Sequence, residues 1–313
     1  MKPYSRILTI ALAAIMLTAC ADKEQQLRDR AMELCQYIPD HELKEQAREY
    51  MTDDFYAALD TTFNHLPEHE AMDHEWLHYF VTGNGGTIAD YEVKGVELTD
   101  PTHALATILV RQKWEDGSFD ETSDVEEHRL YMERVDGQWL MSDFDEHKQD
   151  CIQHIKIAKA EQAVRDAIAE YLVREIGEHY RKGELCVPTL ARVASEETGS
   201  NEARMWVDTW VWWYEQSGDT LKTISGGNHS GCMTMEMKDG KPVVTAFEQT
   251  TDGASFMPSA KRIFGKHYET FQLMHANHDV AEALRKEQLG EYVRRHHLSV
   301  RYYQDYGWDA VEL

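Results

Sequence analysis

Cysteine is scarce in this chain, with five residues in 313, and no two of them form a CxxC pair. Zinc ribbons and thioredoxin-type motifs depend on that spacing, so neither is expected. Positive charge is short as well, because 32 Lys and Arg stand against 56 Asp and Glu, a net charge of −24. Phosphate binding needs a positive footprint, so nucleic acid is excluded as an expected partner. The same sign repels anionic lipid, and attachment to a membrane would need a covalent anchor. Near the start, the apolar run Ile7 to Leu17 reaches only eleven residues, too short to cross a bilayer. Walker lysine, GxSxG and DxDxDG patterns are missing too, which argues against a P-loop, a nucleophile elbow and an EF-hand. What is present is a 42% hydrophobic chain, long enough for about two domains, each with its own core.

Residues 1–19 read as a targeting segment. Lys2 and Arg6 give a positive start, the apolar run follows, and Leu17-Thr18-Ala19-Cys20 closes it. This order resembles a bacterial lipobox, in which the cysteine is acylated and becomes the first mature residue. Two or more palmitate-type chains on Cys20 would make a stable bilayer anchor. Ala21, not Asp, follows the cysteine. The resemblance therefore implies an outer-membrane lipoprotein, with the periplasmic face and the cell surface both open. Four cysteines are left for the fold, Cys35, Cys151, Cys186 and Cys232. Two disulfides and four buried thiols fit that count equally well.

Two units are expected, 20–150 and 151–313, both α+β. In the first, Leu27, Ala31, Leu34 and Ile38 fall on one helical stripe, and a helical pattern runs to about Phe80 with Asp40 placed to cap its second helix. Alternating segments follow at Tyr91–Leu98, Ala104–Trp114, Arg129–Val135 and Trp139–Phe144, with Asp136-Gly137 as a tight hairpin turn. The second unit opens with a long helix from about Glu146 to Lys182, stopped by Gly183. Strands are expected at Leu185–Ala194, Met205–Tyr214, Leu221–Ile224, Cys232–Met237 and Val243–Glu248, then helices that include Asp279–His296. No Ser, Gly or Pro linker separates the units, so a stiff helical connection is expected.

Val135-Asp136-Gly137-Gln138-Trp139-Leu140-Met141-Ser142-Asp143-Phe144 resembles the final strands of nuclear-transport-factor-two-like, or cystatin-like, domains in bacterial envelope lipoproteins. The second half is similar to lipoproteins of the same broad type through Gly218-Asp219-Thr220-Leu221, Ser225-Gly226-Gly227, Asp252-Gly253 and Pro258 to Gly265. The resemblance implies a curved sheet wrapped around helices and brings no catalytic residues with it. Such a fold hosts enzymes, receptors and adaptors alike.

Four features could carry chemistry. His74-Glu75-Trp76-Leu77-His78 satisfies HExxH and resembles the zinc metalloprotease motif. On a helix, His74 and His78 would share one face to hold zinc while Glu75 acts as general base. No third ligand follows at the metzincin interval. Ser225 to Gly231 reads as a wide hairpin or bulge, or as a ligand-contact loop built on Gly226 and Gly227. In the segment 206–214, Trp206, Asp208, Trp210, Trp212 and Tyr214 share one strand face, which suits either core packing or an aromatic pocket with Asp208 as its polar fixture. Finally, residues 21–150 carry net −21 and 151–313 net −5. The densest acidic loop is Asp120, Glu121, Asp124, Glu126 and Glu127, a solvated surface or a contact for cations or a basic partner.

The expectation is an outer-membrane-anchored lipoprotein that works as a non-catalytic binding module for a small ligand or an envelope protein, without a cofactor. Its pocket is expected around Asp208, Trp210, Trp212, Gly226 and Gly227. The alternative is a zinc metallohydrolase centred on His74, Glu75 and His78.

Overall fold

The computed structural model describes residues 23–39, 42–65, 86–114, 116–118 and 125–313. Cys20, Asp40, the motif His74-Glu75-Trp76-Leu77-His78 and the acidic residues Asp120, Glu121 and Asp124 lie outside the described residues. The chain mixes helix with mainly antiparallel sheet, an α+β protein, and divides into two compact units at Ala158/Lys159.

In the first unit, helix α1 (23–35) buries Leu27, Ala31 and Leu34 of the expected stripe, and Ile38 is buried in the turn just after it. A 3-10 turn at Glu45–Tyr50 and helix α2 (Asp53–Asp60) follow. Strands β1 (Gly86–Leu98), β2 (His103–Trp114), β3 (Val125–Val135) and β4 (Gln138–Phe144) form an antiparallel meander in chain order. Along β2, Ala104, Ala106, Ile108 and Val110 alternate inward. They meet Phe55, Leu59, Leu130, Met132, Met141 and Phe144 in one core. Asp136 and Gly137 both take positive φ, 48° and 87°, the requirement of a two-residue hairpin whose twist matches its strands. Helix α3 (His147–Tyr171) continues the chain into the second unit.

The second unit is built on β5 (Leu185–Glu197), β6 (Glu202–Ser217) and β7 (Thr220–Lys238), an antiparallel meander. Beyond β7 its edge is shared. β9 (Tyr302–Gln304) pairs in parallel with the start of β7, and β8 (Lys241–Gln249) pairs antiparallel with its end. A two-residue strand, β10 (Val311–Glu312), extends β9. The expected long helix is regular only to Tyr171, then widens into a π turn at Leu172–Ile176 and tightens into a 3-10 turn at Gly177–His179. Ile168, Leu172 and Ile176 cover one sheet face through Met205, Val207, Val211, Met233 and Met235. Helices α4 (Phe256–Phe264), α5 (Tyr268–His275) and α6 (His278–Arg295) follow β8. α4 and α5 pack on Trp206 and Cys232, and α6 on Val187, Tyr214 and Leu221.

One expected boundary is corrected. Ser225 to Gly231 is neither hairpin nor loop; it is the middle of the 19-residue strand β7, whose pairing with β6 shifts register at Ile224, just before this segment. Its glycines mark close approach instead of a turn. A Cβ on Gly226 would collide with the Val211 carbonyl and lie 2.6 Å from the Trp212 ring, one on Gly227 would meet the Tyr180 hydroxyl, and one on Gly231 the Glu248 carbonyl.

Candidate binding site

The aromatic strand β6 puts its side chains where period two requires. Trp206, Asp208, Trp212 and Tyr214 face α4, α5 and α6, while Val207, Val211 and Trp213 face α3 and the turns after it. Both faces are covered by the chain's own helices. The Trp206 indole N–H donates to the Ile263 carbonyl at 2.8 Å, which ties the strand to α4.

Asp208 is 1% exposed, and both of its oxygens are engaged. Oδ1 accepts from Asn228 Nδ2 at 2.7 Å and Ser230 Oγ at 2.9 Å, and Oδ2 lies 2.9 Å from His275 Nδ1. A buried carboxylate needs such partners to offset its lost hydration. The hydrogen bond to Asp208 raises the His275 pKa above its ordinary value, with burial opposing it. The His275 ring sits beside Phe256 and Phe271, with centroids 5.4 and 5.1 Å away. Asp208 therefore fastens α5 to the sheet.

Trp212 is also in use. The Arg285 guanidinium stacks 4.1 Å from its ring centroid and 4.6 Å from that of Tyr303. Arg285 makes a two-pronged pair with Asp305, both bonds 2.8 Å, and donates to Thr223 Oγ1 at 2.7 Å and to the Tyr214 hydroxyl at 3.1 Å. Trp210 is half-buried and pairs across the sheet with Thr189 and Asn228. Gly226 lies under Trp212, whereas Gly227 points to the other face, beneath Tyr180. Asp208, Trp210, Trp212 and Gly226 thus share a face, and Gly227 does not. Ser225 and His229 are not partners. Ser225 Oγ donates to the Arg181 carbonyl, and His229 bonds Tyr180 through Nε2 and Gln249 through Nδ1.

Open space lies elsewhere, along the edge strand β5. A cleft of about 500 Å³ runs between α3 and α6 with β5 as its floor, within the size range of small-molecule sites. Ile168, Leu172, Val173, Val187, Pro188 and Leu190 give it apolar walls. Asp166 and Arg295 join the two helices by a 2.8 Å ion pair. Gln288 reaches from α6 to the outer edge of β5. The Leu190 N–H donates to its Oε1 and its Nε2 donates to the Leu190 carbonyl, both at 2.8 Å. Cys186 also lines the cleft, and burial pushes its thiol up to about 12, so it is a protonated, weakly nucleophilic group at neutral pH.

No protein-family model and no curated protein matches this chain. Among solved structures it is similar to an Ntf2 like protein involved in plasmid conjugation, with 9% identity over 73% of this chain and 98% of that one, at a TM-score of 0.19. A likeness that slight carries no argument about the site, which stands on its own geometry.

Sequence reasoning missed the cleft because its walls come from three separated segments, none with a motif. It also missed His275 and Arg285, which meet β6 from 67 and 71 residues away. Among the described residues, no three His, Cys, Asp or Glu side chains are grouped to hold a metal ion, and no helix is long and apolar enough to cross a membrane.

Proposed function

We propose that this chain is an envelope lipoprotein, anchored in the outer membrane through acylated Cys20, and that its second unit is a non-catalytic binding module whose small ligand enters the β5 cleft. On this reading both units are cystatin-like. The observation that carries it is the contrast between two surfaces of one sheet. The aromatic face around Asp208 and Trp212 is occupied by its own helices and tail, whereas the edge of β5 retains about 500 Å³ bounded by apolar side chains. The protonated thiol of Cys186 supports contact in place of covalent chemistry in that cleft.

The test uses the mature chain and the uncharged fluorophore N-phenyl-1-naphthylamine. Binding with 1:1 stoichiometry that is lost in Ala169→Trp, which fills the cleft from α3, supports the reading. Fluorescence indifferent to that change would remove the cleft from consideration. For the anchor, metabolic labelling with palmitate should tag the wild type and not Cys20→Ser. A zinc-hydrolase reading rests on the string His74-Glu75-Trp76-Leu77-His78 alone. Metal analysis together with peptide hydrolysis by wild type and Glu75→Gln tests it, and protein inactive with added zinc would end it.

A further inference from the structure

We infer that the ligand of the β5 cleft is an uncharged, apolar small molecule held by side-chain contact, and not a peptide strand or an ion; this rests on the reading of the cleft as a binding site. Three observations narrow the chemistry.

The floor of the cleft is an edge strand, which would ordinarily offer main-chain groups to an incoming peptide. Here that edge is closed. The outward N–H and carbonyl of Leu190 are both taken by the Gln288 carboxamide at 2.8 Å, which stands in for a residue of a neighbouring strand. Two residues earlier in the same phase of the pleat comes Pro188, which has no N–H to give. A peptide adding to β5 would find one donor absent and the next pair occupied.

The charges around the cleft cancel. Arg165, Arg174 and Arg295 stand against Asp166, Glu170 and Glu291, a balance of zero in a chain of net charge −24. Arg295 is matched to Asp166 at 2.8 Å, and Arg174 to Glu175 at 2.7 Å with Glu170 at 3.7 Å. An ionic ligand would need an excess of the opposite sign, and none is provided. The pair Asp166–Arg295 links the two walls but is itself about half exposed, so solvent screens it and it can part to admit a ligand.

The walls supply the remaining affinity. Ile168, Leu172, Val187 and Leu190 belong to, or pack against, the cores beneath the sheet. Their cleft-facing surface is therefore fixed by the fold before a ligand arrives, and a rigid apolar wall favours apolar bodies of matching size.

The experiment compares four probes on the folded mature chain: N-phenyl-1-naphthylamine, the anion 8-anilinonaphthalene-1-sulfonate, the cation dansylcholine, and a fluorescein-labelled extended heptapeptide. Each is measured against wild type, Ala169→Trp, Val173→Trp as a second filling variant, and Gln288→Ala. The neutral probe is expected to bind, to weaken about tenfold or more in both filling variants, and to keep its affinity within about twofold between low and high salt. If a charged probe is the one weakened by filling, or if the heptapeptide binds and Gln288→Ala strengthens it, the ligand class is overturned while the cleft reading stands. If neither filling variant, folded by circular dichroism, weakens any probe, both fail.

Discussion

Arg285→Ala removes four hydrogen bonds and the stacked contacts with Trp212 and Tyr303 in one step, and its cost can be worked from the geometry around it. The guanidinium side chain is 3% exposed, and its partner Asp305 is 35% exposed. Burial is the largest influence on Arg285 and opposes its charge, but the hydrogen bonds it donates to Asp305 and Tyr214 and its attraction to both groups together outweigh burial and raise its pKa, so the group stays ionised. The Tyr214 hydroxyl that accepts from Nε is pushed up to about 12 by burial and is a neutral phenol. Removing one partner of a buried pair costs about 3–5 kcal/mol. The exposure of Asp305 lets water recover part of that, which places this case near the lower end, about 3 kcal/mol. Loss of the stacked contact with Trp212 at 4.1 Å adds about 1 kcal/mol. The expected destabilisation of the second unit is therefore about 4 kcal/mol.

The informative comparison is the double variant Arg285→Met with Asp305→Asn. It neutralises both members and keeps most of the volume, and such replacements of buried pairs are often close to neutral. It should be less destabilised than the sum of the two single changes, with a coupling of about 2 kcal/mol. Urea unfolding followed by amide hydrogen exchange in β6, β7 and α6 isolates this unit from the other. A cost under about 1 kcal/mol for Arg285→Ala, or purely additive single changes, would refute the reading that this buried pair stabilises the second unit.

Three further outcomes follow from the same structure. Because the Asp208 hydrogen bond raises the His275 pKa, the stabilisation from that pair is fully present below the unfolded value of about 6.5 and is lost as pH rises through the raised folded value. Urea midpoints of wild type and His275→Phe should therefore converge as pH rises from acid to alkaline, and a difference independent of pH would contradict the linkage. Gly226→Ala drives a Cβ into the Val211 carbonyl and against Trp212 and should cost about 1–3 kcal/mol in a thermal melt, while a melt unchanged from wild type would mean the sheet can open there. Cys35, Cys151, Cys186 and Cys232 are free thiols, and burial raises Cys35 and Cys186 to about 12 and Cys151 to about 11. Intact mass of Cys20→Ser protein should show slow alkylation in the native state and four additions after denaturation without reductant; fewer additions would indicate disulfides.

Much of the strand order was readable because the signals are local. The Asp136-Gly137 and Asp239-Gly240 turns require positive φ at both residues and have it. The alternation of β2 is a one-face pattern, since one side of that strand meets a core and the other does not. The partners of β6 were not readable, because Asp208 meets His275 at the end of α5, and Tyr214 meets Arg285 within α6, only after the chain has passed through β7 and β8 and returned. Asp208 looked like a polar fixture awaiting a ligand. Its fixture is internal, supplied by Asn228, Ser230 and His275.

The tryptophans of β6 and the glycines of β7, two separate features in the sequence, form one packing device. Trp212 pairs across the sheet with Gly226, and Val211 with Gly227. At Gly226 the missing side chain makes room for the Trp212 ring, and at Gly227 for the Tyr180 hydroxyl from the opposite face. Large residues on one strand are thus accommodated by absent ones on the next, so the sheet stays continuous through its most crowded stretch. With that crowding resolved internally, the described residues at the centre of the sheet pack against the chain's own helices and tail. The helices close over it, and the β5 cleft lies to one side, where ordinary residues such as Val173, Pro188 and Leu190 line it. Unusual residue types gather where packing is hardest, whereas this cleft lies where packing made no special demand.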